Sequence, residues 1–261
     1  MIDRVALVVH EGNSRSVELA RDLAGWLGRR GIEVSQEQPK LVLALGGDGT
    51  MLKAARLAHE EDALVLGVNF GSLGYLPEVE AGDEVKALEQ IFEGDHGIEE
   101  RMMLSCEHGA DHYVGLNEVL VERSSRHRLV RLAVRIGGEH LSTFNADGVI
   151  VATPTGSTAY ALSAGGPIVD PRAACLLVVP VSPHMIFSRP LVLHPDQAVE
   201  IRVDEEGRSA ALSLDGAMGC DLEPGARVLV RRHPRPLKLV KLSGPAFIER
   251  LRAKLNLPDQ T

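Results

Sequence analysis

A five-residue apolar run, Leu41-Val42-Leu43-Ala44-Leu45, leads directly into Gly46-Gly47-Asp48-Gly49-Thr50, and a helical pattern follows from Met51. No other stretch constrains the fold as much. A run with no polar position reads as a strand covered on both faces, and a buried strand followed at once by a turn and a helix belongs to a parallel α/β sheet. The three glycines around Asp48 permit left-handed backbone angles and close approach of a ligand. The helix after them aims free N–H groups at the turn, which suits phosphate. A carboxylate is a poor phosphate ligand, because like charges repel. Asp48 therefore reads as a base for a hydroxyl or as the partner of a metal ion, and the stretch as a device for phosphoryl transfer to an alcohol. The plainer reading, in which Asp48 only caps the helix, stays open at this point. Lys53 has the wrong spacing for a Walker loop, and the third glycine of a dinucleotide fingerprint is missing.

The same grammar extends to both sides. Residues 2–10 predict a buried strand, and Asn13 or Ser14 can cap the next helix. That helix carries Val17, Ala20, Ala24 and Leu27 on one face, with Leu23 beside them, and Gly31 ends it. Ile32 to Ser35 predicts a short strand, Met51 to Glu60 a helix, and Ala63 to Val68 another buried strand. Ligands in such sheets bind beyond the carboxyl ends of strands, so Gly46–Thr50 and Asn69–Gly74 are expected to face one crevice. A plain turn at Gly71 and Gly74 is the alternative. Asp83 to Phe92 predicts a helix, and Gly94 to Glu100 a linker.

After the linker, short strands recur with little helix between them. They are expected at Met102–Glu107, His112–Glu122, Leu129–Ile136, His140–Phe144, Val149–Ala152, Cys175–Val181, Leu191–Leu193, Val199–Val203, Ala210–Leu214 and Arg227–Val230. Such spacing predicts a mostly antiparallel sandwich. The expected architecture is an α/β domain with a parallel sheet over residues 1–98, followed by an all-β sandwich over 99–236. A last helix, Ala246 to Leu255, puts Phe247, Leu251 and Leu255 on one face and has nothing to bury against alone. It is expected to return to the first domain, completing it with about residues 237–261.

A net charge of −8 argues against a general nucleic-acid binder. The three cysteines, Cys106, Cys175 and Cys220, are far apart and odd in number, which fits a reducing compartment better than a disulfide or zinc framework. Val5 to Val9 is too short for the apolar core of a signal peptide, and no apolar run approaches the ~18 residues of a membrane span. A cytoplasmic location with no membrane partner is the expectation.

Several polar constellations stand out. Asn117-Glu118 sits inside a strand-like run, so one of the two side chains faces inward or lines a cleft, where it could recognise sugar hydroxyls; a strand end in solvent is the alternative. Asp147 to Tyr160 reads as a buried strand entering a Pro/Gly turn dense in hydroxyls. Thr155 or Ser157 can cap a short helix through Ser163, and the free N–H groups and hydroxyls there suit a pyrophosphate. Tyr160 is then available to stack on a ring, unless it lies in the core. Arg123, Arg126, His127, Arg128 and Arg131 form a basic segment, either a solvated loop or a phosphate clamp, and Arg231, Arg232, Arg235, Lys238 and Lys241 read the same way. His108 and His112 have helical spacing, but Gly109 and Asp111 favour a hairpin turn, and no Cys/His cluster has zinc spacing.

In their order and spacing, Gly46-Gly47-Asp48-Gly49-Thr50, Asn117-Glu118, Asp147-Gly148, Thr153-Pro154-Thr155-Gly156-Ser157-Thr158-Ala159-Tyr160 and Gly165-Gly166-Pro167 resemble the NAD kinase family over nearly the whole chain. The first motif alone is shared with diacylglycerol and sphingosine-type lipid kinases and is similar to that of phosphofructokinases; the Thr-Pro-Thr-Gly-Ser-Thr-Ala-Tyr run is far more specific. The resemblance implies a site between an α/β domain and a sandwich domain. It implies phosphoryl transfer from ATP or polyphosphate to the adenosine ribose 2′-hydroxyl of NAD, with a divalent ion (Mg or Mn) that arrives with ATP, in a homodimer or homotetramer. It implies that Asp48 is the base, with Gly49 its neighbour at the ribose, and that Gly46, Gly47 and Thr50 serve the phosphates. Asn117 and Glu118 would hold adenosine and ribose, and Asp147 the dinucleotide. Thr158, Ala159, Tyr160, Ala161, Leu162 and Ser163 would line its pocket, and Lys53 and Arg128 match positions that contact ligand. Two departures stand out. Ala217 occupies a position where the family often has glutamine, and Asn145, counted with the NAD-binding set, one where some bacterial members have arginine; the latter bears on NAD against NADH preference. A lipid kinase and a non-catalytic NAD-binding sensor are the rival functions.

Overall fold

The computed structural model describes residues 2–71, 74–125, 127–185, 187–242 and 246–257. The chain divides into two compact units, Met1–Glu100 with Leu237–Thr261, and Arg101–Pro236.

The first unit is built on a seven-stranded sheet ordered Glu33–Val34, Arg4–Val9, Leu41–Leu45, Leu64–Asn69, Leu237–Lys241, Gly97–Arg101, with Val79–Glu80 also paired to Leu64–Asn69. The pairings from Glu33–Val34 through to Leu237–Lys241 are parallel. Every residue of Leu41–Leu45 is buried, as its unbroken apolar pattern requires. Leu41, Leu43 and Leu45 pack with Leu23 and Leu27 of helix Ser14–Arg29 and with Leu88 and Ile91 of helix Glu84–Glu93. The alternate side chains point to the opposite face. Helix Asp48–Glu60 packs against this strand and buries Met51, Ala54, Ala55 and Ala58, together with Thr50 and His59. The chain steps from Arg4–Val9 to one side and then back across it to Leu41–Leu45, so the topological switch point lies between those two strands. The turn Gly46–Gly47 and the start of helix Asp48–Glu60 stand at its carboxyl edge, where His10 N–H donates to Leu45 O at 3.0 Å.

Local chemistry explains the boundaries. Asn13, not Ser14, caps the first helix, its side-chain oxygen accepting from Arg15 N–H at 3.0 Å. Gly31, just past the end, takes φ +74°. The expected linker Gly94–Glu100 is instead largely strand Gly97–Arg101. It is mostly exposed and polar, so no apolar alternation announced it. Leu237–Lys241 inserts parallel to Leu64–Asn69, so the return to this unit is made by a strand as well as by helix Phe247–Leu255. In that helix Leu255 is exposed and the buried residue is a cation, Arg250.

The second unit holds two six-stranded antiparallel sheets. One runs Glu139–Ala146, Val130–Ile136, Val199–Val203, Arg227–Arg232, Leu104–His108, Asp111–Gly115; the other Leu191–Leu193, Leu176–Val181, Gly148–Ala152, Glu118–Arg123, Ala210–Leu214, Ala217–Leu222. Their facing side chains, among them Leu132, Val134, Ile201 and Val230 with Val119, Val121, Val149 and Val178, form one core. The second sheet is covered on its other face too, where Leu120, Ile150, Leu177 and Val179 pack around Ala161 of the short helix Tyr160–Ser163. That double burial explains the continuous apolar runs at Gly148–Ala152 and Leu176–Val181. The expected single strand His112–Glu122 is two strands, broken at Leu116-Asn117. His108 and His112 lie on the hairpin Leu104–His108/Asp111–Gly115, with Gly109 at φ +61°.

Candidate active site

In the first unit the glycine-rich turn is shorter than its sequence suggests. The helix begins at Asp48, three residues earlier than expected, with Gly47 as its N-cap. Asp48 is therefore a first-turn residue whose side chain does not cap its own helix. Its carboxylate instead accepts from Leu76 N–H at 3.2 Å and from Tyr75 N–H at 3.4 Å. The segment after strand Leu64–Asn69 does come to Asp48, as the shared crevice predicts; Ser72 and Leu73 lie outside the described residues. A Cβ on Gly74 would sit 2.6 Å from Asp48 Oδ1, so glycine there lets the carboxylate lie flat on the backbone. Burial, and then the charge of Asp48, push the Tyr75 phenol up from its ordinary pKa.

The glycines themselves work differently from the sequence argument. None of Gly46, Gly47 and Gly49 has a positive φ. Gly46 is buried, and a Cβ there would lie 2.8 Å from Thr50 Cβ. Gly47 and Gly49 are exposed with nothing within 4 Å of a would-be Cβ, so their backbone is open to a ligand. Close approach, and not left-handed geometry, is what these positions provide. Thr50 is buried behind them, and Lys53 is exposed one turn on.

In the second unit Asn117-Glu118 and the hydroxyl-rich turn meet. Thr153 N–H donates to Asn117 O at 2.9 Å, and the Thr153 hydroxyl donates to Leu116 O at 2.6 Å. The same hydroxyl accepts from Gly156 N–H at 3.0 Å, so Thr153, not Thr155 or Ser157, closes this turn. A side chain at Gly156 would run into the Asn117 carbonyl. Asp215 organises the other side: it accepts from the N–H groups of Leu116 at 2.8 Å, Asn117 at 2.7 Å and Glu118 at 3.2 Å.

The hydroxyls of the turn are not arrayed for a pyrophosphate. Thr155 is buried and its hydroxyl accepts from Arg101 at 3.3 Å. Ser157 is fully buried and holds Val169 through its N–H and carbonyl. A 3-10 turn, Thr155–Thr158, precedes helix Tyr160–Ser163, and neither has a side-chain cap. What faces solvent is Tyr160, 41% exposed and so outside the core, and Ser163, with Thr158, Ala159 and Leu162 half-buried. Asp147 is half-buried and ion-paired with Arg123 at 2.5 Å. Arg131 pairs with Asp204 at 3.6 Å, so two members of the basic segment are engaged. Arg126 lies outside the described residues.

These motifs carry the family assignment. Residues 36–96 match the model of the ATP-NAD kinase N-terminal domain, and residues 116–242 that of the ATP-NAD kinase C-terminal domain. The NAD kinase of Heliobacterium modesticaldum is 40% identical, over 96% of this chain and 98% of that protein. The chain belongs to the NAD kinase family. Its activity is the family's, the ATP-dependent phosphorylation of NAD to NADP. Two solved structures share the NAD kinase fold. Yeast NADH kinase complexed with NADH superposes with a TM-score of 0.86 at 23% identity, over 100% of this chain and 89% of that one. An Archaeoglobus fulgidus NAD kinase in complex with ATP gives 0.76 at 24%, over 97% and 96%.

Glu118 is the unusual titrating group of this NAD kinase. It is 6% exposed, and its Oε2 is buried without a hydrogen-bond partner. Burial, and then the charge of Asp215, push its pKa up to about 7. An acid so placed donates a hydrogen bond when neutral and accepts one when ionised. The folded chain therefore keeps a proton that the unfolded chain has released above pH 4.5. The associated stability is intact below that pH and declines as pH rises to about 7, by roughly 3 kcal/mol in all. Glu118→Gln is expected to abolish most of this decline. Urea unfolding at pH 5 and pH 8 checks it; an unchanged pH dependence would exclude Glu118 as the source.

Sequence reasoning missed Thr153, Arg123, Asp215 and Arg101 as organisers, because their partners are backbone atoms or residues far along the chain. Arg128 and Asn145, expected at the ligand, are exposed.

Proposed function

We propose that the phosphoryl group goes to the 2′-hydroxyl of the adenosine ribose of NAD, with Asp48 taking the hydroxyl proton. One observation carries this reading: a half-exposed carboxylate is fixed by two backbone N–H groups at a helix start whose neighbours, Gly47 and Gly49, leave the backbone open. Phosphoryl transfer has a loose transition state with little covalent work for the protein, so alignment and charge stabilisation supply most of the acceleration. The helix N-terminus and the Gly46–Thr50 turn suit the donor phosphates. Residues 1–98 with about 237–261 form the phosphate-handling domain in this reading. Residues 99–236 bind the dinucleotide through Asn117, Glu118, Asp147 and the 158–163 segment, with Lys53, Arg128 and Asn145 as outer contacts. The unpartnered Glu118 Oε2 supports a role for that residue toward a ribose hydroxyl.

Among the described residues no group of three or more His, Cys, Asp or Glu is arranged to hold a metal. In this reading a Mg or Mn ion arrives on the triphosphate, and Asp48 would be a carboxylate available to it. When bound, such an ion would neutralise charge on the transferring phosphoryl group. No helix of the described residues is long and apolar enough to cross a membrane. A cytoplasmic homodimer or homotetramer that takes polyphosphate as well as ATP completes the proposal.

The test is to incubate the protein with NAD or NADH, and ATP or polyphosphate, with Mg²⁺, and to follow NADP(H). Formation of NADP from NAD and ATP is expected. Phosphorylation of diacylglycerol in place of NAD would overturn the assignment of substrate, and tight NAD binding with no transfer from either donor would favour a sensor.

A further inference from the structure

We propose that Arg250, on helix Phe247–Leu255, is a positioning residue for Asp48. The proposal rests on the reading of Asp48 as the base. Five residues, 74–78, lie between the two side chains. Asp48 grips one side of this segment through Tyr75 N–H and Leu76 N–H. Arg250 grips the other. Its Nη1 donates to the carbonyls of Gly74, at 3.3 Å, and Pro77, and its Nη2 pairs with Glu78 Oε2 at 2.7 Å. Both side chains of that ion pair are almost wholly buried, at 4% and 5% exposure. Glu78 is also held by Lys241 Nζ at 2.7 Å and Leu242 N–H at 3.1 Å, from the strand that precedes the helix. One turn further on, Lys254 lies over the Tyr75 ring at 5.8 Å.

At its far end the segment is also held by Glu78 N–H, which donates to Gly67 O at 3.0 Å, and by Pro77, which packs against Gly67. It forms no regular structure until Val79–Glu80 pairs with Leu64–Asn69. Gly74 contributes no side chain, and a Cβ there would be 2.6 Å from both Asp48 Oδ1 and Pro77 Cδ. The planar guanidinium reaches two carbonyls and a carboxylate at once, which a lysine ammonium on a flexible stem does not reproduce. The N–H groups that aim the Asp48 carboxylate are therefore set from the opposite end of the sequence.

Three variants test this in the full-length protein: Arg250→Lys, Gly74→Ala and Asp48→Asn, with kcat, both KM values and melting temperature measured for each. Arg250→Lys is expected to lower kcat by roughly 10²-fold, the order produced by an ångström of misplacement, with the KM for NAD within about threefold. Gly74→Ala keeps the Arg250 side chain but forces Asp48 and Pro77 away from residue 74, and is expected to lower kcat similarly. Adding Arg250→Lys to Asp48→Asn should cost little more, because both act through one group. Equal multiplicative losses in the double variant, a KM effect without a kcat effect, or normal kcat in Gly74→Ala would each overturn the positioning role. Failure of Asp48→Asn alone to lower kcat would instead remove the base on which it depends.

Discussion

Asp48→Asn should lower kcat by roughly 10²–10⁴-fold while leaving the affinity for NAD within about threefold. The substitution keeps size and shape but removes the proton acceptor. The surrounding geometry predicts a second, smaller effect. An amide can keep its oxygen on only one of the two N–H groups now shared between Leu76 at 3.2 Å and Tyr75 at 3.4 Å, and its NH2 then faces the other. Some of the loss will therefore come from a turned side chain. Single-turnover rates at saturating ATP and NAD read the chemical step directly. An unchanged rate would exclude Asp48 as the base.

Asp215→Ala should be the most damaging change in the second unit, with an expected loss of roughly 3–5 kcal/mol in unfolding free energy. One carboxylate satisfies the N–H groups of Leu116, Asn117 and Glu118, at the break between strands Asp111–Gly115 and Glu118–Arg123. Asp215 also holds φ +50°, followed by Gly216 at +72°, in the turn that joins Ala210–Leu214 to Ala217–Leu222. Alanine loses the acceptor and is strained at that angle. Asn117 and Glu118 lose their anchor as well, so the KM for NAD should rise in the same variant. Removing the Asp215 charge should also lower the Glu118 pKa, though burial, the larger cause, remains. Urea denaturation and steady-state kinetics check both effects. A stability loss below about 1 kcal/mol would mean the three donors find other acceptors.

Local patterns in the sequence carried the architecture. The Leu41–Leu45 strand, the turn after it and the short β-strands of the second unit all depend on side chains within a few residues of one another, and periodicity records them. Other features depend on partners that leave no local trace. Asp48 is held by the backbone of Tyr75 and Leu76, and a backbone donor looks the same whatever the residue. The hydroxyl cluster at 153–158 stands out in the sequence, but its main work is structural: Thr155 meets Arg101 across the fold and Ser157 meets Val169. Gly97–Arg101 is polar and mostly exposed, and so resembled a linker. In the last helix the apolar spacing of Phe247, Leu251 and Leu255 was visible, yet the residue that goes inward is Arg250, because Glu78 and two carbonyls await it.

The most direct test of the account is to locate the phosphate transferred from γ-labelled ATP to NAD in a single turnover, with the wild-type protein and with Asp48→Asn. The account predicts label on the adenosine ribose 2′-oxygen in the first and almost none in the second. Label at any other position, or equal label from both proteins, would contradict it.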